Sequence, residues 1–154
     1  MKLAHSITIR VFCHEGEDSR QIEASLRSLL PFDLEQEKLE LQRSVATGFK
    51  EKKIKILEIR LEREKHTTAF LEALMAKLSE SQRELLLRQA ESRLDGELNF
   101  YIRLDKPKML AGQCWITDSG NCFHIKISLA AFPATREAAL GLLRCLFGEL
   151  TKSL

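Results

Sequence analysis

Apolar side chains recur at every second position where the chain begins: Ile7, Ile9, Val11 and Cys13 fall on one side of an extended strand over Ala4–Cys13. Thr8, Arg10 and Phe12 fall on the other side. The polar run His14-Glu15-Gly16-Glu17 ends the strand, and Asp18 is placed to cap a helix with Gln21 as its capping-box partner. The period then lengthens to three and four, with Ile22, Leu26, Leu29 and Leu30 on the buried stripe until Pro31 stops the helix. Leu39, Leu41 and Val45 predict a second strand, Thr47-Gly48 a turn region, and residues 54–61 a third strand. The apolar phase of the third slips between Ile56 and Leu57, which predicts a bulge or burial of both faces. The two strands make a long hairpin with residues 48–53 at its tip.

His66-Thr67-Thr68 opens the next predicted helix, whose apolar face carries Phe70, Leu71, Leu74, Met75 and Leu78. Ser81 and Glu84 have capping-box spacing for another, through Leu85, Leu86 and Leu94, and Asp95-Gly96 breaks it. Residues 98–105 alternate cleanly: Leu98, Phe100, Ile102 and Leu104 face one way, Asn99, Tyr101, Arg103 and Asp105 the other. After Lys106-Pro107-Lys108 the pattern predicts a hairpin with Asp118-Ser119-Gly120-Asn121 as its turn, its second arm burying Phe123, Ile125, Ile127 and Leu129. Pro133 and Thr135 introduce a last helix with Leu140, Leu143, Phe147 and Leu150 on its packed stripe. The predicted order is β-α-β-β-α-α-β-β-β-α. Strands grouped in hairpins predict an α+β fold, a mixed and largely antiparallel sheet with helices on one face. With no linker or repeat in view, residues 1–150 read as one domain and residues 151–154 as a C-terminal tail.

A chain of 154 residues buries about two-thirds of its unfolded surface and needs neither metal nor disulfide to fold. Its 44% hydrophobic and 30% charged content excludes a disordered chain. No secretory signal, membrane-length apolar run or Cys-x-x-Cys spacing accompanies Cys13, Cys114, Cys122 and Cys145, so free thiols in the cytoplasm are expected, with no membrane association. Cys114, Cys122 and His124 share the predicted hairpin but do not face one another across its turn, and read as packing residues rather than metal ligands. No phosphate-binding glycine loop, nucleophile elbow or paired carboxylates appear, so neither enzyme activity nor a cofactor is expected.

The net charge of +2 means that a basic site must come from uneven distribution. The first 48 residues hold six Lys/Arg against eight Asp/Glu, whereas residues 49–66 hold seven against four. Lys50, Lys52 and Lys53 crowd the hairpin tip and, with Lys55, are candidates for phosphate contacts; the plain alternative is a solvated turn guarding a strand edge. Tyr101-x-Arg103-x-Asp105-Lys106 puts an aromatic and a guanidinium on one strand face, suited to stacking and phosphate binding on single-stranded RNA. Tyr101 is the base-stacking candidate, Arg103, Lys106 and Lys126 the backbone-holding ones, and His124 extends the set if the strands are neighbours. Leu85-Leu86-Leu87 widens one helix's apolar face, which admits a homodimer or partner contact and a competing expectation, a protein-interaction adaptor.

The segments at residues 100–106 (Phe-Tyr-Ile-Arg-Leu-Asp-Lys), 124–127 (His-Ile-Lys-Ile), 132–137 (Phe-Pro-Ala-Thr-Arg-Glu), 5–13 and 54–61 together resemble an archaeal family of exosome-associated RNA-binding proteins, nearly end to end and in the same order. The family's domain is similar to that of the large-subunit ribosomal protein that contacts 5S RNA. The resemblance implies an α+β fold, binding of single-stranded or structured RNA, exosome or ribosomal components as partners, and a part in RNA processing or degradation without catalysis. Two departures stand out. Where the family has a Gly-His-Phe-Gly-Asn type of turn this chain has Ala46-Thr47-Gly48-Phe49-Lys50-Glu51, and Pro107 replaces a Gln after the Asp-Lys pair; altered RNA contacts are expected at both.

Overall fold

A computed structural model describes residues 2–152, with side chains described to residue 148. The elements run β1 (Ala4–Cys13), α1 (Ser19–Ser28), β2 (Gln42–Thr47), β3 (Lys53–Leu61), α2 (Glu64–Lys77), α3 (Glu80–Arg88), α4 (Ala90–Arg93), β4 (Asn99–Asp105), α5 (Lys106–Leu110), β5 (Cys122–Leu129) and α6 (Arg136–Lys152). One five-stranded sheet has the order β2-β3-β1-β5-β4. The fold is α+β, with an antiparallel sheet. Alternation decides which side of the sheet is covered: Ile7, Ile9 and Val11 of β1, Phe100, Ile102 and Leu104 of β4, and Phe123, Ile125 and Ile127 of β5 are buried. Arg10, Phe12, Arg103 and Lys126, at the intervening positions, are exposed.

Several sequence expectations change. The first arm of the hairpin predicted after Lys108 is a short helix, α5, followed by a loop held to β4 by a single bridge between Leu104 and Ile116. The cause is local: the Asp105 side chain accepts from the Lys108 amide at 3.0 Å, and Pro107 lies in the first turn, where no amide donor is needed. Pro107 therefore sits in the first turn of a helix. The cap of α3 is Ser79, accepting from the Gln82 amide, not Ser81. Of the two alternatives for the slip in β3, it is the covering of both faces that is seen: Leu57 is buried, Ile56 is half-buried on the opposite face, and no bulge interrupts the pairing with β2. All six residues of β2, one of the sheet's two end strands, are exposed, Val45 among them. Leu86 is buried in α3, which packs along α6, and Leu85 and Leu87 flank it half-buried. The last helix continues through residue 152, so the first half of the predicted tail is helical; Leu150 has no described side chain, and residues 153–154 lie outside the described residues.

The chain divides into two compact units interleaved in sequence. The first comprises Met1–Ile7, Leu61–Ile102 and Lys126–Leu154, the second Thr8–Arg60 and Arg103–Ile125. In the first unit the rings of Phe100 and Phe147 lie 5.7 Å apart, which joins α6 to β4. A turn at Asp95 leads into β4. Its carboxylate accepts from the amides of Glu97 and Asn99, both at 2.9 Å, from Asn99 Nδ2 at 3.2 Å and from the Tyr101 hydroxyl at 2.9 Å. Burial raises this carboxyl, but the four donors outweigh it and hold it below its ordinary value. Asp95→Ala is expected to lower stability by about 2 kcal/mol, since charge-assisted bonds to several donors are lost together; urea unfolding checks it.

In the second unit α1 packs against α5, and Ser25 Oγ donates to the Met109 carbonyl at 3.1 Å. Lys106 opens α5 and is only 2% exposed. Its ammonium donates to the Phe12 carbonyl at 2.7 Å and to Glu17 Oε1 at 3.2 Å. A buried ammonium is tolerated because it is paired and hydrogen-bonded.

Candidate nucleic-acid interface

The outward residues near the end of β1 are Arg10 and Phe12, and Phe12 is 40% exposed on the uncovered side of the sheet. The exposed part of this ring is available to stack on a planar ligand. Phe12 and Arg10 line a cavity of about 240 Å³ with Arg103 of β4, Gly120, Cys122 and His124 of β5. Arg10 is held by Glu58 of β3, Nη2 to Oε1 at 2.8 Å, and Arg103 Nη1 donates to the Asp118 carbonyl at 3.0 Å. These bonds orient both guanidinium planes. Burial pushes the Cys122 thiol above its ordinary value, so it stays protonated and forms a neutral wall. A phenyl ring, an imidazole and two guanidinium groups around one shallow cavity can stack unpaired bases and hold the phosphates between them.

The second part of the surface is the β2–β3 hairpin. Its strands pair in register from Gln42 opposite Glu58 to Thr47 opposite Lys53, and a tight turn in which the Lys52 amide donates to the Phe49 carbonyl closes it. The Gly48 amide donates to the Lys52 carbonyl at 2.7 Å. A Cβ at residue 48 would lie 2.8 Å from Ile54 Cδ1, so glycine lets the turn close over that side chain. Lys50 and Glu51 both take left-handed φ near 59°, which turns consecutive side chains outward. Glu15, just after β1, accepts from the Lys53 amide at 3.2 Å and ties the tip to the β1 end. His14, Glu15, Phe49, Lys50, Lys52 and Lys53 line a cavity of about 430 Å³, with Gly48 and Ile54 beneath. Phe49 is 85% exposed, and the Lys50 ammonium lies 5.8 Å from its ring centre. Lys55 is exposed on β3.

The two cavities are lined by residues close together along the chain at the end of β1. Phe12 lines the first and His14 the second, two residues or roughly 7 Å of chain apart. The structure thus brings Arg103 and His124 together with Arg10 and Phe12, whereas the tip lysines line the other cavity with His14 and Glu15. It does not bring Lys106 there. Its ammonium points inward to Phe12 and Glu17, so the expectation that it holds RNA backbone is corrected: it supports the β1 end from beneath. Tyr101 and Lys126 belong to the first unit; the Tyr101 hydroxyl is engaged by Asp95 and its ring is half-buried, whereas Lys126 is exposed on β5. The sequence reading passed over Arg10, Phe12, His14 and Phe49. The signal for two of them was present, since alternation already assigned Arg10 and Phe12 to the solvent side of β1.

Among the described residues no three His, Cys, Asp or Glu side chains gather as metal ligands, and no helix is long and apolar enough to cross a membrane. A family model described as RNA binding matches residues 6–129. The chain is 30% identical over 141 residues to the RNA-binding protein PAB1135 of Pyrococcus abyssi, covering 92% of each chain. It is also similar to two solved structures: AF2318 from Archaeglobus fulgidus, with 26% identity, a TM-score of 0.82 and coverage of 93% of this chain and 99% of that one, and the DUF54 protein Mth689 from Methanothermobacter thermautotrophicus, with 27% identity, a TM-score of 0.75 and coverage of 94% and 98%.

Proposed function

The chain belongs to the RNA-binding family whose model spans residues 6–129, and from that membership we propose that it binds single-stranded RNA on the uncovered sheet face and the adjoining hairpin tip, without cutting it. The observation that carries the reading is the convergence of Arg10, Phe12, Arg103 and His124 on one open cavity. Phe12 stacks a base, His124 packs beside it, and Arg103 holds the backbone. Lys50, Lys52, Lys53 and Lys55 take phosphates farther along the strand. Tyr101 and Lys126 are further candidates on β4 and β5. A relative named as an RNA-binding protein supports the ligand class. The resemblance to exosome-associated proteins supports the finer role of accessory factor, one that delivers RNA for processing or degradation; co-purification with exosome subunits tests that role.

The direct test is fluorescence anisotropy of a labelled single-stranded RNA across a salt series. Three to six phosphate contacts predict a log–log slope of roughly −2 to −4. Lys50→Ala, Lys52→Ala and Lys53→Ala together are expected to weaken binding to every RNA sequence and flatten the slope by up to about 2, because three positive charges facing RNA phosphate are removed. Absence of binding at low salt would remove RNA as the ligand of this surface.

A further inference from the structure

The tip cavity differs in kind from the sheet face, and its charge says how. Three ammonium groups, Lys50, Lys52 and Lys53, line it against the single carboxylate of Glu15, and that carboxylate already accepts from the Lys53 amide. Two positive charges remain in excess within one cavity of about 430 Å³. An internal phosphodiester brings one negative charge, whereas a terminal phosphomonoester brings about 1.5 to 2 at neutral pH and three acceptor oxygens. The excess therefore matches an end of an RNA strand better than its interior. The rim has the matching apolar feature, because the exposed Phe49 ring stands beside Lys50 and offers a platform for the terminal base. The chain path supplies the third argument. From His14 at this cavity to Phe12 at the sheet face is only two residues, so a strand whose end sits at the tip runs directly onto the stacking surface.

We propose that the cavity formed by His14, Lys50, Lys52 and Lys53 at the β2–β3 tip is a recognition site for the terminal phosphate of an RNA strand. This rests on the RNA reading above and adds to it that the protein reads a strand end. The lysines supply the charge, His14 supplies a ring N–H, and Phe49 covers the first base. The shared chemistry is a phosphomonoester, carried by either a 5′ or a 3′ end.

The test compares one labelled RNA sequence in three forms, 5′-phosphorylated, 3′-phosphorylated and hydroxyl at both ends, against the full chain and its Lys50→Ala/Lys52→Ala/Lys53→Ala variant. One phosphorylated form is expected to bind about tenfold tighter than the hydroxyl form, the sum of a few exposed charge-assisted contacts. In the variant that difference disappears while residual binding through the sheet face persists, and the arm that shows the preference tells the 5′ end from the 3′ end. Equal affinity for all three forms overturns end recognition and leaves the RNA reading standing. A preference that survives in the variant overturns the assignment to the tip. Failure of all three forms to bind overturns both.

Discussion

Lys106→Met is expected to lower the stability of the protein by about 3 kcal/mol, because a buried ammonium with a carbonyl and a half-buried carboxylate as acceptors is lost. Methionine keeps the aliphatic volume but leaves the Phe12 carbonyl and the Glu17 carboxylate facing an apolar group. For a chain of this length that corresponds to a fall in Tm of roughly 6–12 °C, readable by calorimetry. The pH dependence gives a second readout. Burial acts to raise the Glu17 carboxyl, but the His14 amide and the Lys106 ammonium outweigh it, and the group sits below its ordinary 4.5. A carboxyl lowered on folding adds stability that is fully present above its unfolded value and lost as pH falls through the folded one. The wild-type protein should therefore lose this contribution below about pH 4.5, and the Lys106→Met variant should show a shallower acid slope. An unchanged Tm and slope would mean that the buried pair contributes nothing to the fold. Since the same ammonium fixes the Phe12 carbonyl, weaker RNA binding is expected to accompany the loss of stability.

Phe12→Ala is expected to reduce affinity for single-stranded RNA by roughly five- to a hundredfold, because a stacked base is worth roughly 1–3 kcal/mol by alanine substitution. Little of that loss should come from unfolding. Phe12 is among the exposed large apolar residues, and the residues beneath it, Val11 and Cys13, stay buried. A duplex RNA should show a much smaller change, since its bases are not available to stack. Anisotropy titrations of both RNAs against wild type and variant decide the point, and an unchanged single-strand affinity would remove Phe12 from the interface. The contrast with the tip lysines is diagnostic: loss of a stacking ring lowers affinity at all salt concentrations, whereas loss of lysines changes the salt slope itself.

Local pattern was enough for the strands that bury one face. Ile7, Ile9 and Val11, then Phe100, Ile102 and Leu104, then Phe123, Ile125 and Ile127 announce themselves because a half-covered sheet demands a period of two. The helical stripes of α1 and α2 were equally plain, from Ile22 and Leu26 to Phe70 and Leu74. Where two local signals competed, the reading went astray: Asp105, Lys106 and Pro107 serve as well for a helix start as for a turn, and the capping bond from Lys108 to Asp105 chose the helix. The start of β2 was misplaced for another reason: Leu39 and Leu41, whose apolar side chains suggested the strand, precede it, and β2 begins at Gln42.

The amino-acid sequence alone set the class of fold, the lysine-rich tip and the solvent side of β1, because each follows from side-chain period or from a run of like charges within a few residues. Tertiary structure decided which of the candidate residues meet. Lys106 has the composition of a phosphate-binding side chain, and only its partners, 94 residues away at Phe12 and 89 away at Glu17, show that its charge is spent inside. Arg10 and Phe12 face the same cavity as Arg103 and His124 only because β5 lies between β1 and β4 in the sheet. Strand order is a product of long-range packing, and no local period in the chain encodes it.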